Sequence, residues 1–202
     1  MLVRNWMSKP VITIEAASTV GAAARLLSEN HIKRLPVLEA GRLAGILSEK
    51  DLRALVFPSD ETRIVSEVMT RDPVTIGLDE PVEAAAVKMH DHEFGALPVI
   101  GPGGELAGIL TEEDVFEAMI AMTGARFAGV RLSLEIEDRP GSIQEVTNLI
   151  RAEGGRILSI VTSYQGVRTG YRELVLKIST DHSEQIVERL AGAYPGTTVV
   201  KV

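Results

Sequence analysis

Two four-residue arrangements have the types and spacing to do chemistry: Ser48-Glu49-Lys50-Asp51 in "GILSEKDLR" and Thr111-Glu112-Glu113-Asp114 in "GILTEEDVF". Each sets a hydroxyl at the end of an apolar run and a carboxylate three residues further on. The simplest use of that spacing is a capping box, in which hydroxyl and carboxylate satisfy free N–H groups at a helix start and complement its dipole. Glu or Gln usually fills the last position, because the longer arm reaches back better. Both stretches carry Asp instead, although Glu49, Glu112 and Glu113 stand beside it. Little else in the chain is reactive. There is no cysteine for a disulfide or a thiolate metal site. The four histidines (His31, His90, His92, His182) are scattered, and His90 and His92 lie about 200° apart around an expected helix, too far to chelate together. No serine–histidine–carboxylate set, P-loop or G-x-G-x-x-G is present, so no enzyme is expected.

The elements that must hold these residues are written twice. Met7-Ser8-Lys9-Pro10-Val11-Ile12-Thr13-Ile14 aligns with Met69-Thr70-Arg71-Asp72-Pro73-Val74-Thr75-Ile76, and Leu35-Pro36-Val37 with Leu97-Pro98-Val99, each 62 positions apart. Gly45 and Gly108 are 63 apart, so the one inserted residue falls in a Gly-rich turn, where a folded unit tolerates it. Each copy reads as a short extended segment, then a helix opened by Ser18 or Asp79. Val20, Ala23, Ala24 and Leu27 form an apolar stripe in one copy; Val82, Ala85, Ala86 and Met89 form it in the other. Two strands joined by a turn follow, and a second helix begins at Ser48 or Thr111. Neither β-α-β-β-α copy buries enough surface alone, so the two are expected to pack together, as residues 1–62 and 63–124.

The Leu-Pro-Val strand, the Gly-Ile-Leu strand and the Ser/Thr-x-x-Asp helix start, in order and twice, resemble a tandem CBS-domain pair (a Bateman module) over about residues 1–124. The resemblance implies Ser48 with Asp51, and Thr111 with Asp114, as contacts for an adenosine-type nucleotide, the aspartate taking the ribose hydroxyls. It also implies an adenine walled by Thr13-Ile14 and Thr75-Ile76 together with Pro36-Val37 and Pro98-Val99. The chemistry is sound, since a carboxylate accepts two hydroxyl bonds and a helix N-terminus attracts phosphate. The capping reading explains both motifs without a ligand, and the residues alone leave the two open.

Charge separates the copies. Residues 1–62 hold 8 basic and 7 acidic side chains, and residues 63–124 hold 3 and 12. His31, Lys33 and Arg34 precede the first Leu-Pro-Val, where copy two has Glu93, Gly95 and Ala96; Lys50 precedes Asp51, where Glu113 precedes Asp114. Coulomb repulsion disfavours phosphate in a carboxylate-rich pocket. Copy one is therefore expected to supply the phosphate contacts. Copy two is expected to take a neutral or cationic adenosyl group such as S-adenosylmethionine, or none. The bland alternative is that these charges face solvent.

Beyond a small-residue linker, "MTGARFAG", residues 125–202 are nearly neutral, with 10 basic and 9 acidic side chains. Alternation of Val130, Leu132, Leu134 and Ile136 predicts a strand; "DRPGS" then opens a helix with Ile143, Val146, Leu149 and Ile150 inward. Strands "RILSIVTSY" and "YRELVLKIS", a helix over about 183–192 and "TTVVKV" complete β-α-β-β-α-β. That order with Asp138-Arg139-Pro140-Gly141-Ser142-Ile143 resembles an ACT domain. The resemblance implies a small-ligand site, usually for an amino acid, at Asp138, Gly141, Ser142 and Ile143. Arg156 stands where many amino-acid-binding members carry Asn, which points to another anion or to dimer contacts. The plain reading is a Pro-Gly helix start.

The whole is thus expected to be an α+β protein: two CBS repeats packed as a pair, then a ferredoxin-like ACT domain. This order resembles AcuB-type acetoin-utilisation proteins, implying a regulatory sensor linked to acetoin or acetate metabolism that works as a homodimer. The competing expectation is a ligand-free scaffold. A net charge of −7 and 4% aromatic residues argue against nucleic acid. No apolar run approaches a membrane span, and "MLVRNWMSKP" has no signal-peptide core, so a cytoplasmic protein is expected.

Overall fold

Apolar alternation and helical stripes fix the elements locally. In copy one, β1 (Ile14–Glu15), α1 (Val20–Glu29), β2 (Arg34–Glu39), β3 (Arg42–Ser48) and α2 (Glu49–Arg53) follow in order. A two-residue strand β4 (Thr70–Arg71) joins this sheet, whose strand order is β1-β2-β3-β4. Copy two repeats the plan with β5 (Ile76–Gly77), α3 (Val82–His92), β6 (Ala96–Ile100), β7 (Leu106–Thr111) and α4 (Glu112–Thr123), its sheet running β5-β6-β7. The computed structural model describes residues 1–53, 61–180 and 183–201, so His182 lies outside the described residues.

Two helix starts differ from expectation. Thr19, not Ser18, caps α1, its side chain accepting from the Ala22 N–H at 3.2 Å. Pro81 precedes α3 with no side-chain cap, while Asp79 pairs with Arg4 at 2.7 Å. Ala24 also leaves the buried stripe of α1 and is exposed, Val20, Ala23 and Leu27 being the buried members. One residue further toward the C-terminus turns Ala24 about 100° away from Ala23.

The packing crosses the repeat boundary. Val3, fully buried, belongs to the copy-two core with Ile76, Val82, Leu97 and Leu110, and Trp6 and Met7 pack against it. Val65 and Met69 belong in the same way to the copy-one core with Ile14, Leu35, Val37 and Leu47. Ser8 bridges Ile109 on β7, and β4 pairs with Gly45 and Ile46 on β3. Each copy's leading segment therefore completes the other copy. Gly45 and Gly108 make this close approach sterically feasible, because a Cβ on either would run into the Met69 or the Met7 side chain. Both copies, as far as Ala118 within α4, fall in one compact unit, Met1–Ala118.

Glu80 helps to close the turn ahead of α3. Its carboxylate accepts the Gly77 N–H at 2.8 Å and pairs with Lys88 at 3.2 Å. The Gly77 bond, and secondarily Lys88, hold its pKa below the ordinary carboxylate range against the opposing pull of partial burial. A carboxyl depressed in the folded state contributes stability above its ordinary pKa and loses it as pH falls through the folded value. The side chain is 42% exposed, so screening keeps the effect small. Glu80→Gln is expected to lower the melting temperature at pH 7 by about 1–3 °C, with the gap to wild type closing under acid conditions; a gap that persists unchanged at low pH would contradict this.

The second unit, Met119–Val202, has β8 (Val130–Glu137), α5 (Ser142–Ala152), β9 (Arg156–Ser163), β10 (Tyr171–Ser179), α6 (Ser183–Ala193) and β11 (Thr198–Lys201). The strands form one antiparallel sheet of order β11-β8-β10-β9. The alternating apolar residues of β8 meet Val146 and Ile150 of α5 and Ile186 and Leu190 of α6 in its core, as a split βαβ arrangement requires. Among the described residues no helix is long and apolar enough to cross a membrane.

Candidate functional site

At the end of β3, the Ser48 N–H and Oγ–H both donate to Asp51 Oδ2, at 2.8 and 2.6 Å, and the Asp51 N–H donates to Ser48 Oγ at 3.2 Å. Thr111 and Asp114 repeat the pattern at 2.7, 2.7 and 3.2 Å. Both motifs are capping boxes, with Asp doing what Glu usually does. The shorter side chain reaches because the hydroxyl and the N–H of one residue converge on a single oxygen. Each aspartate thereby spends Oδ2 alone. Oδ1 of Asp51 and of Asp114 has no hydrogen-bond partner among the described residues, so capping and holding a ligand are compatible uses of one side chain.

Each aspartate borders a cleft. The Asp51 cleft, about 480 Å³, is floored by Ile46 and Ser48, flanked by Lys50 and Arg53, and closed by Thr70, Pro73, Val74, Phe94 and Pro98. Phe94 stacks on His92 with ring centroids 5.4 Å apart, placing an aromatic face at the rim. The Asp114 cleft, about 560 Å³, is bordered by Thr111, Glu112 and Glu113, by Ser8, Pro10, Val11 and Ile12, and by His31 and Pro36. Lys33 and Arg34 border both clefts.

The leading segments thus wall the clefts, and they do so crosswise. Ile14, Val37, Ile76 and Val99 are core residues, and Thr13 and Thr75 border neither cleft; the leader residues on the cleft walls are Ser8, Pro10, Val11 and Ile12 in one copy and Thr70, Pro73 and Val74 in the other. Pro36 faces the Asp114 cleft and Pro98 the Asp51 cleft. His31 stands with Asp114 rather than with Lys50 and Asp51. Thr70, Pro73, Val74, Phe94 and Arg53 carried no role in the sequence reading. The matching of Ser8-Lys9-Pro10-Val11 with Thr70-Arg71-Asp72-Pro73-Val74 was the available signal for the leaders.

The charges distribute unevenly. Lys50 and Arg53 border the Asp51 cleft and not the Asp114 cleft, as do Glu49 and Glu93, and Arg53 pairs with Glu49 at 2.9 Å. At the Asp114 cleft Lys33 reaches Glu113 at 3.6 Å, an exposed pair that contributes little. The Arg34 side chain, half-buried, makes no ion pair or hydrogen bond among the described residues. It lies against Gly95, where any Cβ would strike its guanidinium.

In the second unit a shallow depression joins Asp138, Gly141 and Ile143 to Ile160 of β9 and Arg172 of β10. Gly141 enters α5 in the left-handed region, φ 87°. Ser142 is buried and does not line the depression; its Oγ donates to the Arg139 carbonyl at 3.0 Å and accepts from Arg172 at 3.1 Å. Arg172, 3.6 Å from Asp138 through a second nitrogen, keeps a buried Nε without a partner. Arg156 is exposed and borders none of this. Arg139 also lines the depression, and its pairs with Glu145 first, then Glu137, hold its guanidinium above its ordinary range. Among the described residues no group of histidine, aspartate and glutamate could hold a metal ion.

Comparison with known proteins places both units. The CBS domain model matches residues 3–57 and 65–121, and the TTHA0829-like ACT domain model matches 128–202. A CBS domain-containing protein of Dictyostelium discoideum is 35% identical over 133 residues, 59% of this chain and 92% of its own length. L-aspartate semialdehyde sulfurtransferase of Methanocaldococcus jannaschii is 34% identical over 115 residues, but the match spans only 22% of that enzyme. Among solved structures, the CBS domain pair of protein MJ0100 in complex with 5′-methylthioadenosine and S-adenosyl-L-methionine is 32% identical with a TM-score of 0.54, over 59% of this chain and 95% of that one. CBSX2 in complex with AMP, a protein of Arabidopsis thaliana, is 28% identical with a TM-score of 0.54, over 59% and 96%. A putative acetoin utilization protein (AcuB) from Vibrio cholerae is 27% identical with a TM-score of 0.54, over 59% and 90%. Two matched CBS domains, two capped clefts and a βαββαβ tail lead to one assignment: the chain belongs to the CBS-domain family, as a tandem CBS pair joined to an ACT domain.

Proposed function

We propose that this protein is a regulatory sensor whose paired clefts bind adenosyl ligands, a phosphate-bearing nucleotide at Asp51 and a neutral or sulfonium group such as S-adenosylmethionine at Asp114. The observation that carries this reading is that a capping aspartate lines each cleft with only Oδ2 engaged, Oδ1 having no hydrogen-bond partner among the described residues. Ribose presents two vicinal hydroxyls to such an acceptor. The AMP, 5′-methylthioadenosine and S-adenosylmethionine held by related CBS pairs support the ligand class. The balance of charge supports the allocation: Lys33, Arg34, Lys50 and Arg53 stand against Glu49, Asp51 and Glu93 at one cleft, and Lys33 and Arg34 against Glu112, Glu113 and Asp114 at the other. In the ACT domain Arg172 and the entry to α5 suit a small carboxylate such as an amino acid, and the same domain supports pairing into a homodimer. The setting we favour is cytoplasmic regulation of acetoin or acetate metabolism, with no catalytic step in this chain.

Thermal denaturation with AMP, ADP, ATP, NADH and S-adenosylmethionine tests the reading. A ligand present at about 100 times its Kd contributes about 2.7 kcal/mol, which should raise the melting temperature by about 5 °C or more. Absence of a shift with all five at millimolar concentration would leave a ligand-free scaffold as the function.

A further inference from the structure

We propose that Arg34 is a single phosphate anchor shared by the two clefts, so that a phosphate bound in one withdraws it from the other. The inference rests on the adenosyl-ligand reading above and adds a regulation to it. Three observations carry it. Arg34 opens β2 and borders both clefts. Its half-buried guanidinium has no ion pair or side-chain hydrogen bond among the described residues, so it is uncommitted in the free protein. Copy two has Ala96 at the equivalent position and, before it, Gly95, which leaves the space the guanidinium fills. The duplicated module has two capping aspartates but one arginine at this place, and its guanidinium lies in the space that Gly95 leaves open.

The clefts depend on Arg34 unequally. The Asp51 cleft has Lys50 of its own, and Arg53, which pairs with Glu49 at 2.9 Å. Among the described residues the Asp114 cleft has only His31 besides the two shared cations, and one of those, Lys33, pairs with Glu113. Stripped of Arg34, a phosphate there would face Glu112, Glu113 and Asp114 nearly uncompensated. A charge-assisted hydrogen bond is worth roughly tenfold to a hundredfold in affinity. Two phosphate-bearing ligands therefore oppose one another across the module. A sulfonium ligand at Asp114 needs no anion anchor and coexists with a nucleotide at Asp51.

Unequal sites alone would also give two affinities, so the experiment must free one cleft. Isothermal titration with AMP, and with adenosine as the phosphate-free probe, is run on wild type, Asp51→Asn, Arg34→Gln and the double variant. Asn keeps the cap acceptor but empties the Asp51 cleft, returning Arg34 to the other site. The expected result is that AMP binds the Asp114 cleft of Asp51→Asn about tenfold more tightly than it binds that cleft, as the weaker of two steps, in wild type. Adenosine should show no such gain, and Arg34→Gln should abolish it in the double variant. An unchanged weak AMP step in Asp51→Asn overturns the shared anchor while leaving adenosyl binding intact. Failure of both AMP and adenosine to bind wild type overturns both readings. Melting curves of the variants within a few degrees of wild type exclude unfolding as the cause.

Discussion

Asp51→Ala is expected to weaken adenosine-nucleotide binding to its cleft by at least about a hundredfold and to cost about 1 kcal/mol of stability. The two effects have separate origins. Loss of Oδ2 releases the Ser48 N–H and hydroxyl, 2.8 and 2.6 Å away, and uncaps α2. Loss of Oδ1 removes the acceptor for the ribose hydroxyls, each a bond to a charged group worth about 1.5–3 kcal/mol. Asp51→Asn separates them. Its carbonyl oxygen can still accept from Ser48, so stability should stay within about 0.5 kcal/mol of wild type, while the amide turns an acceptor into a donor and binding still falls. Urea denaturation and titration calorimetry on the two variants decide the matter. Full affinity in Asp51→Asn would reduce the aspartate to a cap. Thr111 and Asp114 share the geometry, so Asp114→Asn should act likewise on its own cleft.

Val3→Asp should have the larger structural effect, on the order of 4 kcal/mol or more, because it sets a carboxylate into a fully buried apolar site with no partner. The damage should fall on copy two, although Val3 lies at the start of copy one. Trp6 is the sole tryptophan and packs on the same copy-two core. Its fluorescence in a urea titration therefore reports the loss directly. A midpoint unchanged from wild type would mean that the leader contributes nothing to that core. Val65→Asp is the mirror experiment for copy one, where Val65 is equally enclosed.

These two residues also mark where the sequence was informative and where it fell silent. Apolar periodicity identified Val20, Ala23 and Leu27 as inward, as it did the alternate residues of β8, because burial leaves a period in the chain. It carries no label for which body a residue is buried against. The 62-residue offset between Val3 and Val65 is the same whether each leader packs at home or on its neighbour, so the crossing was invisible. The cleft walls moved with it: Pro10-Val11 and Pro73-Val74 belong to leaders, and only the crossing brings them beside Asp114 and Asp51. The capping motif was legible in its spacing, but the freedom of one carboxylate oxygen depends on two donors converging on the other. Arg172 was hidden for a different reason. It lies in a strand thirty residues from Ser142, and nothing in an alternating pattern reveals such a partner.

The crossed leaders carry a consequence for how the ligand clefts are maintained. Each leader is a donor segment and each repeat an acceptor, so a single repeat would find its missing segment only in a second molecule. Its clefts would then form and dissolve with dilution. Joining the repeats in one chain replaces that encounter with closure of a loop of some sixty residues, whose entropic cost grows only slowly with length. The tethered segment is then supplied at an effective concentration on the order of millimolar. Binding of the proposed adenosyl ligands would in this way be independent of how much of the protein is present.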